Sequence, residues 1–158
     1  MTRFVGIDPG ASGGVAWIDS DRIYDLTACR WPDDLPSAVS LMRLGLQDGA
    51  RVAIEKVHAI PGTGSTSSAF AFGRSFGEIL GIVATLAHDT ERVWSWGLVP
   101  PQTWQKSLGL GKMQGPERKR ALKDVAMRRF SANAKLVTLK TCDAMLIADW
   151  LRNGGVTQ

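Results

Sequence analysis

The stretch Phe4-Val5-Gly6-Ile7-Asp8-Pro9-Gly10-Ala11-Ser12-Gly13-Gly14-Val15-Ala16-Trp17-Ile18-Asp19 decides how the rest of the chain is read. An apolar run ends on an aspartate, a glycine-rich turn follows, and a second apolar run leaves it. β-Branched and aromatic residues flanking Pro-Gly and Gly-Gly breakers predict a buried strand and its hairpin partner. Asp8 then stands at a strand end, beside a turn too small to cover it. A carboxylate among apolar neighbours is costly to desolvate unless a cation or hydrogen-bond donors meet it. Taken alone, Asp8 is equally well read as a turn residue capping its own backbone. The residues further along decide between the two.

The 158 residues predict one domain, able to bury roughly two thirds of the surface its unfolded chain exposes. Composition is that of an ordinary globular protein. No apolar run is read as approaching the roughly 20 residues of a membrane helix, and the N-terminus lacks the n- and h-regions of a signal peptide. Cys29 and Cys142 are too few for a disulfide scaffold, and no His/Cys cluster has zinc spacing. A cytoplasmic protein, bacterial or in a phage-infected cell, is the expectation. The net charge of +4 is unevenly spread. Up to residue 105 there are 8 basic and 11 acidic side chains, whereas residues 106–140 carry 10 basic ones against Glu117 and Asp124 alone. So one-sided a block favours a polyanion such as nucleic acid over a solvated helix face, which usually mixes both signs.

Further strands are predicted at residues 22–26, 51–55 and 92–99, the last stopped by Pro100-Pro101. Helical spacing of apolar residues predicts helices over 34–46 and 67–87, then a short one over 102–107. A basic helix with Pro116 in its first turn should run to Phe130, and a last helix from about Thr141 to Arg152. The long helix carries Gly73, Gly77 and Gly81 on one face, each costing about 1 kcal/mol relative to alanine. Close approach of the sheet beneath is the conservative explanation, and a seam with a second copy is the other. The element order predicts an α/β fold, a mixed sheet with helices on both faces.

Three carboxylates share a setting. Asp8 and Glu55 end buried strands, and Asp143 opens an apolar helix. Brought together, they could not all stay ionised without a cation. Hard oxygen ligands select Mg²⁺ or Mn²⁺ rather than zinc. Beside a polyanion-binding block, such a cluster suits phosphodiester hydrolysis.

At this point a resemblance is plain. Gly6-Ile7-Asp8-Pro9-Gly10, Ala53-Ile54-Glu55-Lys56-Val57, Phe72-Gly73-Arg74-Ser75-Phe76-Gly77, Val99-Pro100-Pro101-Gln102-Thr103-Trp104 and Cys142-Asp143-Ala144-Met145-Leu146-Ile147-Ala148 resemble, in order, the motifs of RuvC-type Holliday-junction resolvases, specifically the small phage-type branch. That family lies within the ribonuclease H-like superfamily. The resemblance implies a ribonuclease H-like mixed five-stranded sheet flanked by helices on both faces. It further implies a homodimeric, Mg²⁺-dependent endonuclease that nicks two strands of a four-way DNA junction symmetrically. Asp8, Glu55 and Asp143 fall on the positions of its metal-binding carboxylates.

The chain departs from the pattern twice. The family usually places a fourth acidic residue, or a histidine, about one helical turn before the Asp143 position, where this chain has Leu139-Lys140-Thr141. Lys140 is expected on Asp143's face of the helix, where its ammonium would replace one metal's charge or touch the scissile phosphate. Asp149 should point away. The second departure is Gln105, where relatives often carry a lysine, with Lys106 next to it.

Phosphate-contact candidates are Lys106, Lys112, Arg118, Lys119 and Lys123, joined by His58 and Arg74. The family inserts side chains from the loop after the Glu55 strand near the crossover, for which His58, Ile60, Phe70 and Phe72 are available. Trp94, Trp96 and Trp104 are assigned to the core and its rim. A junction-binding protein with weak or no nuclease activity is the alternative, motivated by the missing acid near Lys140. An actin-like ATPase, suggested by the Gly6–Gly13 turn, would need a second such domain, for which 158 residues leave no room.

Overall fold

The computed structural model describes residues 2–10, 12–20, 22–46, 49–56, 65–89, 95–110, 112–113 and 115–157. In chain order these form β1 (Arg3–Asp8), β2 (Gly14–Asp19), β3 (Arg22–Arg30), α1 (Leu35–Gly45), β4 (Arg51–Glu55), α2 (Thr66–Asp89), β5 (Ser95–Val99), α3 (Pro101–Lys106), α4 (Gly115–Arg129), a 3₁₀ turn (Ser131–Leu136) and α5 (Cys142–Arg152). The strands make one mixed sheet in the order β3-β2-β1-β4-β5. β1 pairs antiparallel with β2, as the hairpin reading requires, and parallel with β4.

Strict alternation along the central strands divides the core into two layers. Val5, Ile7, Val15, Trp17, Val52 and Ile54 point to one face, where α1 and α2 cover them with Met42, Ile79, Val83 and Leu86. Phe4, Ala16, Ile18 and Ala53 point to the other, covered by α5 with Ala144, Met145, Leu146 and Ile147. Gly6 sets how closely α5 sits. A Cβ there would lie 2.2 Å from the Ala144 carbonyl oxygen and 2.5 Å from the Ala148 nitrogen. The helix backbone therefore lies directly on β1.

α1 starts where Asp34 accepts a hydrogen bond from the Ser37 N–H at 2.8 Å. The third strand extends to Arg30, beyond its predicted end, because β2 offers pairing partners along its whole length. The 3₁₀ turn has no counterpart in the sequence expectations; its residues carry no apolar period and none is buried. The apolar character of α2 also exceeds expectation. By length and composition, Thr66–His88 is apolar enough to cross a membrane, and only 22% of its most apolar stretch is buried in this fold. The expectation that no run reaches that length is corrected. It fails because Arg74 and Glu78 interrupt the run without lowering its average enough. A Cβ added at Gly73, Gly77 or Gly81 would meet nothing within 4 Å. The sheet therefore does not explain these glycines: they lie on the face of α2 turned away from it.

The two glycine settings predict opposite outcomes. Gly6→Ala should lower stability by about 3 kcal/mol through overpacking, whereas Gly77→Ala should raise the stability of the monomer by up to about 1 kcal/mol. Urea unfolding at concentrations that keep the chain monomeric checks both.

Candidate active site

Ile7 is in register with Ile54 across β1 and β4, so the next residues, Asp8 and Glu55, leave the sheet side by side. Alternation sends both toward α5. There Asp143 stands in the first turn. All three are buried, at 8%, 7% and 7% exposure, although each is a charged residue type. Burial beside Glu55 and Asp143 favours the protonated form of Asp8. Lys119 Nζ donates to Asp143 Oδ2 at 2.7 Å and lies 3.8 Å from Asp8 Oδ2. The Trp104 indole N–H donates to Glu55 Oε1 at 3.0 Å, and the Cys142 thiol to Asp143 Oδ1 at 3.2 Å.

The electrostatics follow from that packing. Burial, then the charges of Glu55 and Asp143, push Asp8 well above the usual carboxylate range, with Lys119 opposing. Burial and Asp143 likewise raise Glu55, while the Trp104 bond pulls it down. Burial on its own would lower Lys119, but Asp143 and Asp8 hold it above the ordinary lysine value. Burial, then Asp143, push the Cys142 thiol up to about 12, so it stays protonated and acts as a donor. The carboxyls gather around the Lys119 ammonium, but among the described His, Cys, Asp and Glu side chains no three are spaced to hold a metal ion as they stand. The donor set still fits a hard divalent cation. It has three carboxyl side chains against one ammonium, and a cation would displace the proton that burial favours on Asp8.

Other sequence candidates are placed as follows. Lys140 is not on the helix face expected of it. α5 starts at Cys142 with Thr141 as its cap, which leaves Lys140 exposed in the preceding turn. The ammonium that meets the carboxylates is instead that of Lys119, read from sequence only as a phosphate contact. Its position is legible in retrospect: Lys119, Leu122 and Ala126 follow helical spacing, and the latter two are buried. Arg118 is half-buried, and its Nε has no hydrogen-bond partner. Lys123 is half-buried one turn beyond Lys119, and Lys106 and Lys112 are exposed. Gln105 is buried. Arg74 lies on α2, 3.5 Å from Glu78. Phe70 is exposed, and Phe72 lies against the Gly10 turn, whose φ of 114° favours glycine. His58, Ile60 and Trp94 fall outside the described residues. Asp149 is held by Arg129 and Arg152, as far along α5 as its spacing from Asp143 implies.

No protein-family model matches the chain, and no curated protein matches it in sequence. Solved structures do match. RuvC from T. thermophilus in complex with a Holliday junction substrate superposes with a TM-score of 0.57 at 13% identity, covering 96% of each chain. A second Thermus thermophilus RuvC structure gives 0.51 at 16% identity, again with 96% of each chain covered. The fold is RuvC-like. The five-stranded mixed sheet with helices on both faces, expected from the sequence, is therefore the arrangement found. At such low identity the RuvC-like likeness establishes the fold, and the chemistry rests on the side chains described above.

The raised Asp8 value carries a signed prediction. Ionising Asp8 in the fold is unfavourable, so metal-free protein should lose stability as pH rises from about 4 through the elevated value. Asp8→Asn should be flatter over that window and more stable than the wild type at pH 8. Thermal unfolding in chelator from pH 4 to 8 checks it; parallel profiles for the two proteins would refute it.

Proposed function

We propose that this chain is a structure-selective endodeoxyribonuclease of the phage-type RuvC branch, resolving four-way DNA junctions by metal-dependent hydrolysis. The observation that carries the reading is the convergence of Asp8, Glu55 and Asp143 in a buried, under-neutralised cluster beside the most basic segment of the chain. Asp8, Glu55 and Asp143 are the residues that would hold Mg²⁺, or Mn²⁺ in its place. Such an ion, when bound, supplies an activated water and stabilises the leaving oxygen. Lys119 neutralises Asp143 in the resting state and turns toward the phosphate as substrate enters. Arg118, half-buried on α4 beside Lys119, adds to the positive charge that meets the phosphate. Lys123, Lys106 and Lys112 extend the positive surface along the backbone of the DNA.

Symmetric nicking of a junction calls for two active sites, and we assign the pairing surface to α2. Its Gly73, Gly77 and Gly81 ladder lies open, and a second copy of the helix could approach it closely. The apolar residues of α2 that cover the sheet, Ile79, Ile82, Val83 and Leu86, belong to the core. We place the protein in the cytoplasm, where its substrate DNA would lie. A second reading, junction binding with little cleavage, draws on the lack of a fourth acidic residue near Lys140 and on the lysine among the carboxylates.

Cleavage of a synthetic four-way junction separates the two. The nuclease reading predicts paired nicks in Mg²⁺, little cutting of linear duplex, and a loss of at least about a hundredfold in Asp8→Asn and Glu55→Gln. Tight junction binding without product in Mg²⁺ or Mn²⁺ would favour the second reading.

A further inference from the structure

Trp104 belongs by sequence to the core, and its ring does pack there, in the cluster that includes Val99, Leu122 and Leu146. Its side chain is wholly buried. The indole has one polar atom, an N–H that can only donate. That donor reaches Glu55 Oε1 at 3.0 Å, inside the candidate site. We infer that Trp104 is a positioning residue, whose indole N–H fixes the plane of the Glu55 carboxylate so that its remaining lone pairs face the divalent-cation site shared with Asp8 and Asp143. The inference rests on the nuclease reading and adds a residue to it.

Three features favour this over mere satisfaction of a buried N–H. The first is that Trp104 is anchored independently of Glu55. Its ring is packed, α3 begins directly after Pro100, and its carbonyl accepts from Ser107 Oγ at 2.6 Å. The frame is also continuous. Glu55 pairs with Val99 across β4 and β5, and the Lys56 N–H donates to the Val99 carbonyl at 2.8 Å. The backbone that carries Glu55 is thus tied to the strand leading into α3. The last is the chemistry of the donor. Glutamate has one more rotatable bond than aspartate and needs a fixed partner to hold one orientation. A neutral donor fixes it without adding positive charge, whereas a lysine in the same place would compete with the cation. One N–H occupies one of about four lone-pair sites and leaves the rest for a metal.

The test compares the wild-type chain with Trp104→Phe and with a variant carrying β-(3-benzothienyl)alanine at position 104. The latter keeps the ring shape and replaces the N–H with sulfur, so it remains informative where Trp104→Phe fails to fold. Mn²⁺ affinity, measured without DNA by the electron paramagnetic resonance of free Mn²⁺, is the primary readout. Junction kcat and KM are the second. A positioning role predicts Mn²⁺ binding weakened about tenfold in the isostere, a lower kcat and an unchanged KM for DNA, with an unfolding midpoint lowered by no more than the loss of one buried hydrogen bond accounts for. An isostere with wild-type Mn²⁺ affinity would overturn the positioning role alone. A wild-type chain that binds no Mn²⁺ would overturn the nuclease reading and the positioning role together.

Discussion

Mutual repulsion among Asp8, Glu55 and Asp143 is what the rest of the site is arranged to meet. Each carboxylate has lost most of its water, and opposite charge or donated hydrogen atoms must replace it. Trp104 gives one N–H to Glu55, Cys142 and Lys119 occupy the two oxygens of Asp143, and burial among carboxylates favours the protonated form of Asp8. These partners together are one ammonium and neutral donors, so the cluster keeps a negative balance. On the proposed reading, that negative balance is what a divalent cation would meet. It comes at the expense of the stability that a neutral pocket would give.

The repulsion could not be sustained if the carboxylates were free to move apart. β1 and β4 fix two of them through parallel register, and α5 fixes the third by lying on Gly6 with no side chain between. A step of one residue in either strand would turn its acid to the opposite face of the sheet, toward α1 and α2. The same alternation that builds two apolar layers therefore aims the site. Away from it the sheet is closed by ordinary pairs, such as Arg3 with the buried Asp19 at 2.6 Å. That pair sits at the other end of β1 and β2 and is fully matched in charge.

Much of this is legible in the chain. Strand ends at Asp8 and Glu55, the Gly-rich hairpin and the acid that opens the last helix are local signals, and local signals survive folding. What is not legible depends on which residues meet across distance. Lys140 is the obvious cation near Asp143 because it is close in sequence, yet the helix starts too late to carry it. Lys119, 24 positions away, arrives through the packing of α4 on α5. Trp104 reads as core because an indole's burial is easy to foresee and its hydrogen-bond partner is not. The three glycines of α2 signal close approach correctly as a question, but only the fold shows that the sheet is not the neighbour.

The central claim, that these acids form a cation site guarded by Lys119, is tested most directly by anomalous diffraction from crystals soaked in Mn²⁺. The expected result is a single strong manganese peak or a close pair among the Asp8, Glu55 and Asp143 oxygens, with the Lys119 ammonium displaced from Asp143. Crystals that keep the Lys119–Asp143 contact and show no manganese between the carboxylates would contradict it.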